Sequence, residues 1–138
     1  MHAADDLIQQ GRLARFEGRV EEALGHYQTA AELFREENEH LRWAESMRHV
    51  AALEVELKRG EDARRDIEAV LVAYSAMKVD VLELANATRV SALAAEACGE
   101  DERAKTAWKQ AAELYAEARL LEGTIEHNRE VAMHAHEA

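Results

Sequence analysis

Arginine stands at positions 48, 89 and 129, at steps of 41 and 40 residues. A guanidinium presents a planar fork of N–H donors that grips a carboxylate through two parallel hydrogen bonds. On a surface that brought this period into register, the three would form a ladder for an acidic segment. The tail offers a second chemistry. His127, Glu130 and His134 fall at i, i+3 and i+7, so one stripe of a helix carries three groups able to ligate a metal. A single helix supplies no fourth ligand and no supporting contacts, and surface His and Glu are common, so neither a metal nor a cofactor is expected. His26, His40 and His49 are scattered with no acid–base partner at a recognisable spacing. The chain contains no phosphate loop, nucleophile motif or Cys/His cluster. Cys98 precedes a glycine and has no activating neighbour, which describes a small packing residue better than a reactive thiol. No catalytic centre is set out, and an enzyme is not expected.

A repeat would bring arginines 40 residues apart onto one surface, and the chain has one. "GHYQTAAELF" (25–34) returns as "TAWKQAAELY" (106–115), and midway "RDIEAVLVAY" (65–74) is a worn third copy. Steps of 40 and 41 also align Ala4, Ala44 and Ala85; Gly11, Ala51 and Ala92; and Ala23, Ala63 and Ala104. The large residues Tyr27, Ile67 and Trp108 form another column, as do Phe34, Tyr74 and Tyr115. A fixed period in this range marks stacked supersecondary units. Each unit reads as two helices. Leu24, Tyr27, Ala31 and Phe34 make one apolar stripe at helical spacing, and Glu21 and Glu22 open that helix where its dipole favours negative charge. Hinges fall at "EGR", "KRGED" and "CGEDE", each with one glycine able to supply a left-handed residue. Turns this short make neighbouring helices antiparallel. Small columns let helices approach, and large columns fill the space between units, so Tyr27 and Trp108 are both expected in the core. Trp43 lies off these columns, which leaves it either an exposed interface residue or packed on the preceding helix.

The composition fits that plan and narrows the function. There is no proline, glycine occurs six times in 138 residues, and 48% of residues are apolar. This is helix-forming composition with enough apolar content for one folded domain. The net charge of −11 disfavours nucleic acid and anionic membrane surfaces as partners. No apolar run reaches the ~20 residues of a membrane span. "MHAADDLIQQ" lacks the marks of a signal peptide, and with a lone cysteine a cytoplasmic location is expected.

The columns resemble the tetratricopeptide repeat family in a long-period variant, over about residues 4–121. Gly11 stands like the family's small first-helix residue, Ala23 like its second-helix alanine, Tyr27 like the aromatic that follows, and Ala30 like its last alanine. The family's tryptophan is replaced by Leu7, its leucine by Gln10, and its closing proline is missing throughout. The expected fold is all-α: antiparallel helix-hairpin repeats stacked as an α-solenoid of about seven helices. The whole chain, 1–138, would be one domain, with units at about 1–37, 38–78 and 79–121. A capping helix would follow at about 122–136, where Ile125, Val131, Ala132 and Ala135 repeat the spacing of Ala85, Ser91, Ala92 and Ala95.

The resemblance implies that first helices line a concave groove that binds a protein or peptide segment. It places Asp5, Ile8, Arg12, Arg15 and Phe16 there, then Glu45, Arg48, Ala52, Val55 and Glu56. From the third unit come Asn86, Arg89, Leu93, Glu96 and Ala97, and from the cap Glu126, Arg129, Met133 and His136. The implied contact residues are Ile8, Arg12, Arg15, Arg48, Arg89, Leu93 and Arg129. The family's carboxylate-gripping version uses asparagine and lysine where Arg12 and Leu93 stand, so that specificity is not carried over. Glu45 precedes Arg48 by three residues and Glu126 precedes Arg129 by three, so in-helix ion pairs are an alternative to a ligand ladder. Two further readings remain beside the interaction module: a homodimer with Trp43 or the cap at its seam, and a metal site on the tail histidines.

Overall fold

A computed structural model describes the backbone of residues 3–137 and the side chains of residues 3–123 and 129. All its regular structure is helical: α1 (Ala3–Phe16), α2 (Val20–Glu36), α3 (His40–Glu56), α4 (Gly60–Ser75), α5 (Val81–Ala97) and α6 (Asp101–Glu137). Among the described residues no helix is long and apolar enough to cross a membrane.

Four of the five connections are one device. Each has three residues, the middle one left-handed: Gly18 (φ 79°), Asn38 (φ 58°), Lys58 (φ 64°) and Gly99 (φ 73°). In each, the next residue's N–H reaches a carbonyl five residues back: Arg19 to Ala14, Glu39 to Phe34, Arg59 to Glu54 and Glu100 to Ala95, at 2.8–2.9 Å. This satisfies carbonyls that a helix end leaves open and folds the next helix back on the last. The α4–α5 link is longer, and Asp80 caps α5 there by accepting from the Leu82 N–H at 3.5 Å.

The hinge at "KRGED" differs from the expectation that its glycine would be the left-handed residue. Lys58 takes that conformation, and Gly60 begins α4. A Cβ on Gly60 would stand 3.1 Å from the Ala97 Cβ, so its glycine serves close packing of α4 on α5.

Consecutive helices pack on each other, and α3 also packs on α5. The small columns are buried as expected: Ala4, Ala44 and Ala85; Gly11, Ala51 and Ala92; Ala23, Ala63 and Ala104. Tyr27 and Ile67 fill the spaces they leave, each 1% exposed. Helices two apart run parallel. Asp5 pairs with Arg42 (2.5 Å) at the starts of α1 and α3, and Arg15 with Glu56 (3.2 Å) at their ends. On the even-numbered side Glu21 of α2 pairs with Arg59 (2.6 Å), just before α4, and Glu68 in the middle of α4 with Arg103 (3.7 Å) near the start of α6.

Two expectations fail at the third unit, for one reason. A turn near residue 122 was to separate its second helix from a capping helix, giving about seven helices; the described residues form six, and α6 runs unbroken through that point. Gly123 is helical, with nothing within 4 Å of where its Cβ would be, so no packing against a following helix reverses the chain there. A helical glycine is a modest local penalty of about 1 kcal/mol beside the strong helix formers around it. Without a helix folding back, Trp108 is not core: it is 37% exposed, and its indole N–H donates to Glu96. Its counterparts Tyr27 and Ile67 are covered by α3 and α5. Trp43 is half-buried, with the Arg35 guanidinium 5.4 Å from its ring centroid.

Candidate functional site: the face of α1, α3 and α5

Most of the expected contact residues lie on the odd-numbered helices, and one cavity brings three of them together, Ile8, Arg12 and Arg48. α1 carries Ile8, Arg12 and Arg15, α3 carries Arg48, and α5 carries Arg89 and Leu93. A cavity of about 250 Å³ lies among Ile8, Arg12, Arg42, Glu45, Ser46, Arg48, His49 and Glu83. Leu93 belongs to a separate cavity of about 420 Å³ with Val55, Lys58, Gly60, Glu96 and Ala97. The face therefore has two depressions, one polar with three arginines, one bordered by aliphatic residues.

Arg48 does not pair with Glu45 in its own helix. It reaches across to Glu83 on α5, Nε to Oε1 at 2.6 Å and Nη2 to Oε2 at 3.3 Å, with both side chains 16% exposed. The Tyr74 hydroxyl donates to the same Oε1 at 2.7 Å. A bidentate pair so shielded from water is strong and directional. It leaves Arg48 as a strut between α3 and α5. Glu45 is left beside it with its acidity weakened, by burial first and then by the nearby Glu83 charge.

His49 stacks on Tyr27, centroids 4.6 Å apart and planes at 15°. Burial, with the Arg48, Arg15 and Arg12 charges after it, lowers its pKa to about 3, so the imidazole is neutral. Arg48 Nη2 donates to Nε2 at 3.4 Å, which places the ring proton on Nδ1. That Nδ1 is buried without a hydrogen-bond partner. Ser46 gives its hydroxyl proton to the Arg42 carbonyl at 2.9 Å.

The remaining arginines divide sharply. Arg15 is held by Glu56 and Arg42 by Asp5. Arg12 is exposed, and among the described residues it pairs with no carboxylate; it lies against the Tyr27 hydroxyl, whose acidity burial weakens and Arg12 partly restores. Arg89 is likewise exposed without an ion-pair partner, and Asn86, one turn away, accepts from the Tyr115 hydroxyl at 2.6 Å. Arg12 and Arg89 are the two arginines of these helices that hold no carboxylate among the described residues. Arg129 is exposed, but it sits on α6 and not on a separate fourth odd helix, so the ladder stops at α5.

The side chains of Glu126, His127, Glu130 and His134 lie outside the described residues; among those described, no His, Cys, Asp or Glu group could hold a metal. The Cys98 thiol is pushed up from its ordinary value by burial and then by Glu61, which keeps it protonated. Sequence reasoning missed Arg42, His49 and Glu83. The spacing of Asp5 to Arg42 and of Arg48 to Glu83, 37 and 35 residues, is close to the repeat, and that was the available signal. No protein-family pattern matches the chain, and no characterised protein is similar enough to it in sequence to place it.

Proposed function

We propose that this chain is a non-catalytic interaction module, a tetratricopeptide-like α-solenoid that holds a segment of another protein against the face of α1, α3 and α5. The parallel course of alternate helices, their ion pairs at near-repeat spacing and the repeated three-residue turns support the solenoid reading. One observation carries the function: among the described residues Arg12 and Arg89 stand exposed without a carboxylate, while Arg15, Arg42 and Arg48 are held by internal partners. An acidic segment would supply the missing carboxylates, and Leu93 with Val55 would receive an aliphatic side chain beside it. A cytoplasmic setting suits the unpaired Cys98.

Fluorescence anisotropy with acidic, neutral and basic peptides tests this. Acidic peptides should bind, more weakly as salt screens charges over ~8 Å at physiological ionic strength. Arg89→Glu should weaken them by about 10-fold or more, and the double change with Arg12→Glu further. Equal binding by all three classes, or no effect of the double reversal, would remove the proposal.

A second reading is favoured by α6, which leaves Trp108, Leu120 and Leu121 exposed. In a homodimer this helix would be the seam. Light scattering that gives a monomer mass across a wide concentration range would end that reading.

A further inference from the structure

Of the even-numbered helices, α2 and α4 each have a helix folded back over the large column. Tyr27 of α2 is buried in one cluster with Val50 and Leu53 of α3, and Ile67 of α4 in another with Ala87 and Val90 of α5. On α6 the corresponding face is open: Trp108 and Ala112 are exposed, where Tyr27 and Ala31 are buried. Lys105, one turn before Trp108, is exposed and pairs with no carboxylate among the described residues. The chain carries the pattern of a helix for this face. Ile125, Val131, Ala132 and Ala135 repeat the spacing of Ala85, Ser91, Ala92 and Ala95 on α5. They belong to the second half of α6, which runs on past residue 122 without a turn. Glu130, one repeat beyond Val90, therefore stands about 33 Å along the same helix from Trp108. As the helix stands, that segment does not reach its own chain's tryptophan.

The two complete hairpins set the register in which such a helix would lie. Tyr27 stacks on His49, and the Tyr74 hydroxyl donates to Glu83. Carried forward along the repeat columns, these pairs put Glu130 level with Trp108 and Gly123 level with Tyr115. Both new pairs are centred on Arg119, and α6 extends 18 residues to either side of it. We propose that a second copy of this chain covers the open face. Two α6 helices pair antiparallel about a twofold axis at Arg119, and residues 123–137 of each copy lie over Trp108 and Ala112 of the other. Each copy thereby completes the last unit of its partner by exchange. The proposal rests on the homodimer reading above and adds to it which residues meet.

Charge agrees with this register. Lys105 comes level with Met133 of the partner subunit, between Glu130 and Glu137, which lie three residues before it and four after on one helical stripe. At the axis Arg119 meets its own copy, and Glu122, one turn along in each helix, offsets that repulsion. The single chain, with Trp108 open to water, is the dilute state, and pairing removes that ring from water. The pairing uses α6 and leaves Arg12 and Arg89 untouched, so it is independent of the acidic-segment reading.

Light scattering, with cysteine cross-linking in a Cys98→Ala background, tests this. The mass should pass from monomer to dimer as concentration rises. Arg119→Cys should cross-link to its own copy across the axis. Lys105→Cys alone should not, because its two copies lie about 40 Å apart along the pair, whereas mixed with Met133→Cys it should. Lys105→Glu should weaken the dimer about tenfold, and adding Glu130→Lys should restore it. In Trp43→Phe, the emission of Trp108 should move to shorter wavelength as the dimer forms. A monomer at every concentration would remove the homodimer reading and this pairing together. A dimer in which Lys105→Cys joins its own copy, or Arg119→Cys does not, would leave a seam on α6 and overturn the exchange.

Discussion

Two titratable side chains on α3, the half-buried His49 and the buried Glu54, stand one turn and a half apart and act on stability in opposite directions. His49 is held neutral with a pKa of about 3 against an ordinary 6.5. Between those values the unfolded chain binds a proton that the fold does not, so stability falls as pH drops from 6.5 towards 3. Glu54 is the reverse case, about 8 against an ordinary 4.5. Between those values the fold keeps a proton that the unfolded chain has lost, so stability falls as pH rises from 4.5 towards 8. The two slopes cancel where the windows overlap, and their joint contribution is greatest between 4.5 and 6.5. Urea denaturation across pH should show that plateau. Glu54→Gln should remove the alkaline decline and gain about 1–3 kcal/mol near pH 9. His49→Gln should flatten the acid limb. An unchanged alkaline limb in Glu54→Gln would mean that Glu54 ionises freely in the fold.

Elements are set by their turns, and the turns show what could be read in advance. Gly18 and Gly99 were legible because glycine is the usual left-handed residue past a helix end. Asn38 carried a weaker signal of the same kind, since asparagine tolerates that conformation. Lys58 carried none; its conformation is imposed by the packing of α3 and α4, and a neighbouring glycine pointed to the wrong position. That gives a paired prediction. Lys58→Gly should stabilise by about 1 kcal/mol by removing left-handed strain. Gly60→Ala should destabilise by about 1 kcal/mol or more, because its Cβ would crowd Ala97 across α5. Thermal unfolding of both variants decides it, and a stabilised Gly60→Ala protein would show that the contact yields freely. The site residues were less legible than the helices. Arg12 and Arg89 stood out as arginines, but that Arg48 is a strut depends on Glu83 and Tyr74, which meet it only in the folded chain.

For the whole molecule, equivalent positions in the repeat have unequal weight. Tyr27 and Trp108 share a column, and from sequence both belong to the core. Burial of that column is conferred by the next helix folding back, and α6 runs on past residue 122 without such a turn. Tyr27→Ala should therefore cost ~3–5 kcal/mol, as the loss of a large side chain sealed between α1, α2 and α3. Trp108→Ala should cost about 1 kcal/mol, in the range of a partly exposed position. Equal losses on chemical denaturation would show that Trp108 is covered in solution, as a seam between two copies would require.

The two tryptophans also make the chain its own spectroscopic probe. Trp43 lies half-buried where α2 meets α3, beneath a guanidinium, and Trp108 lies in contact with water on α6. An indole shielded from water emits at shorter wavelength than a hydrated one, so the intrinsic fluorescence is a composite of two colours from opposite parts of the molecule. During unfolding the blue component follows the early helices, and the red component changes little. With Trp108→Phe, the emission becomes a single-site record of when the first two helix pairs come apart.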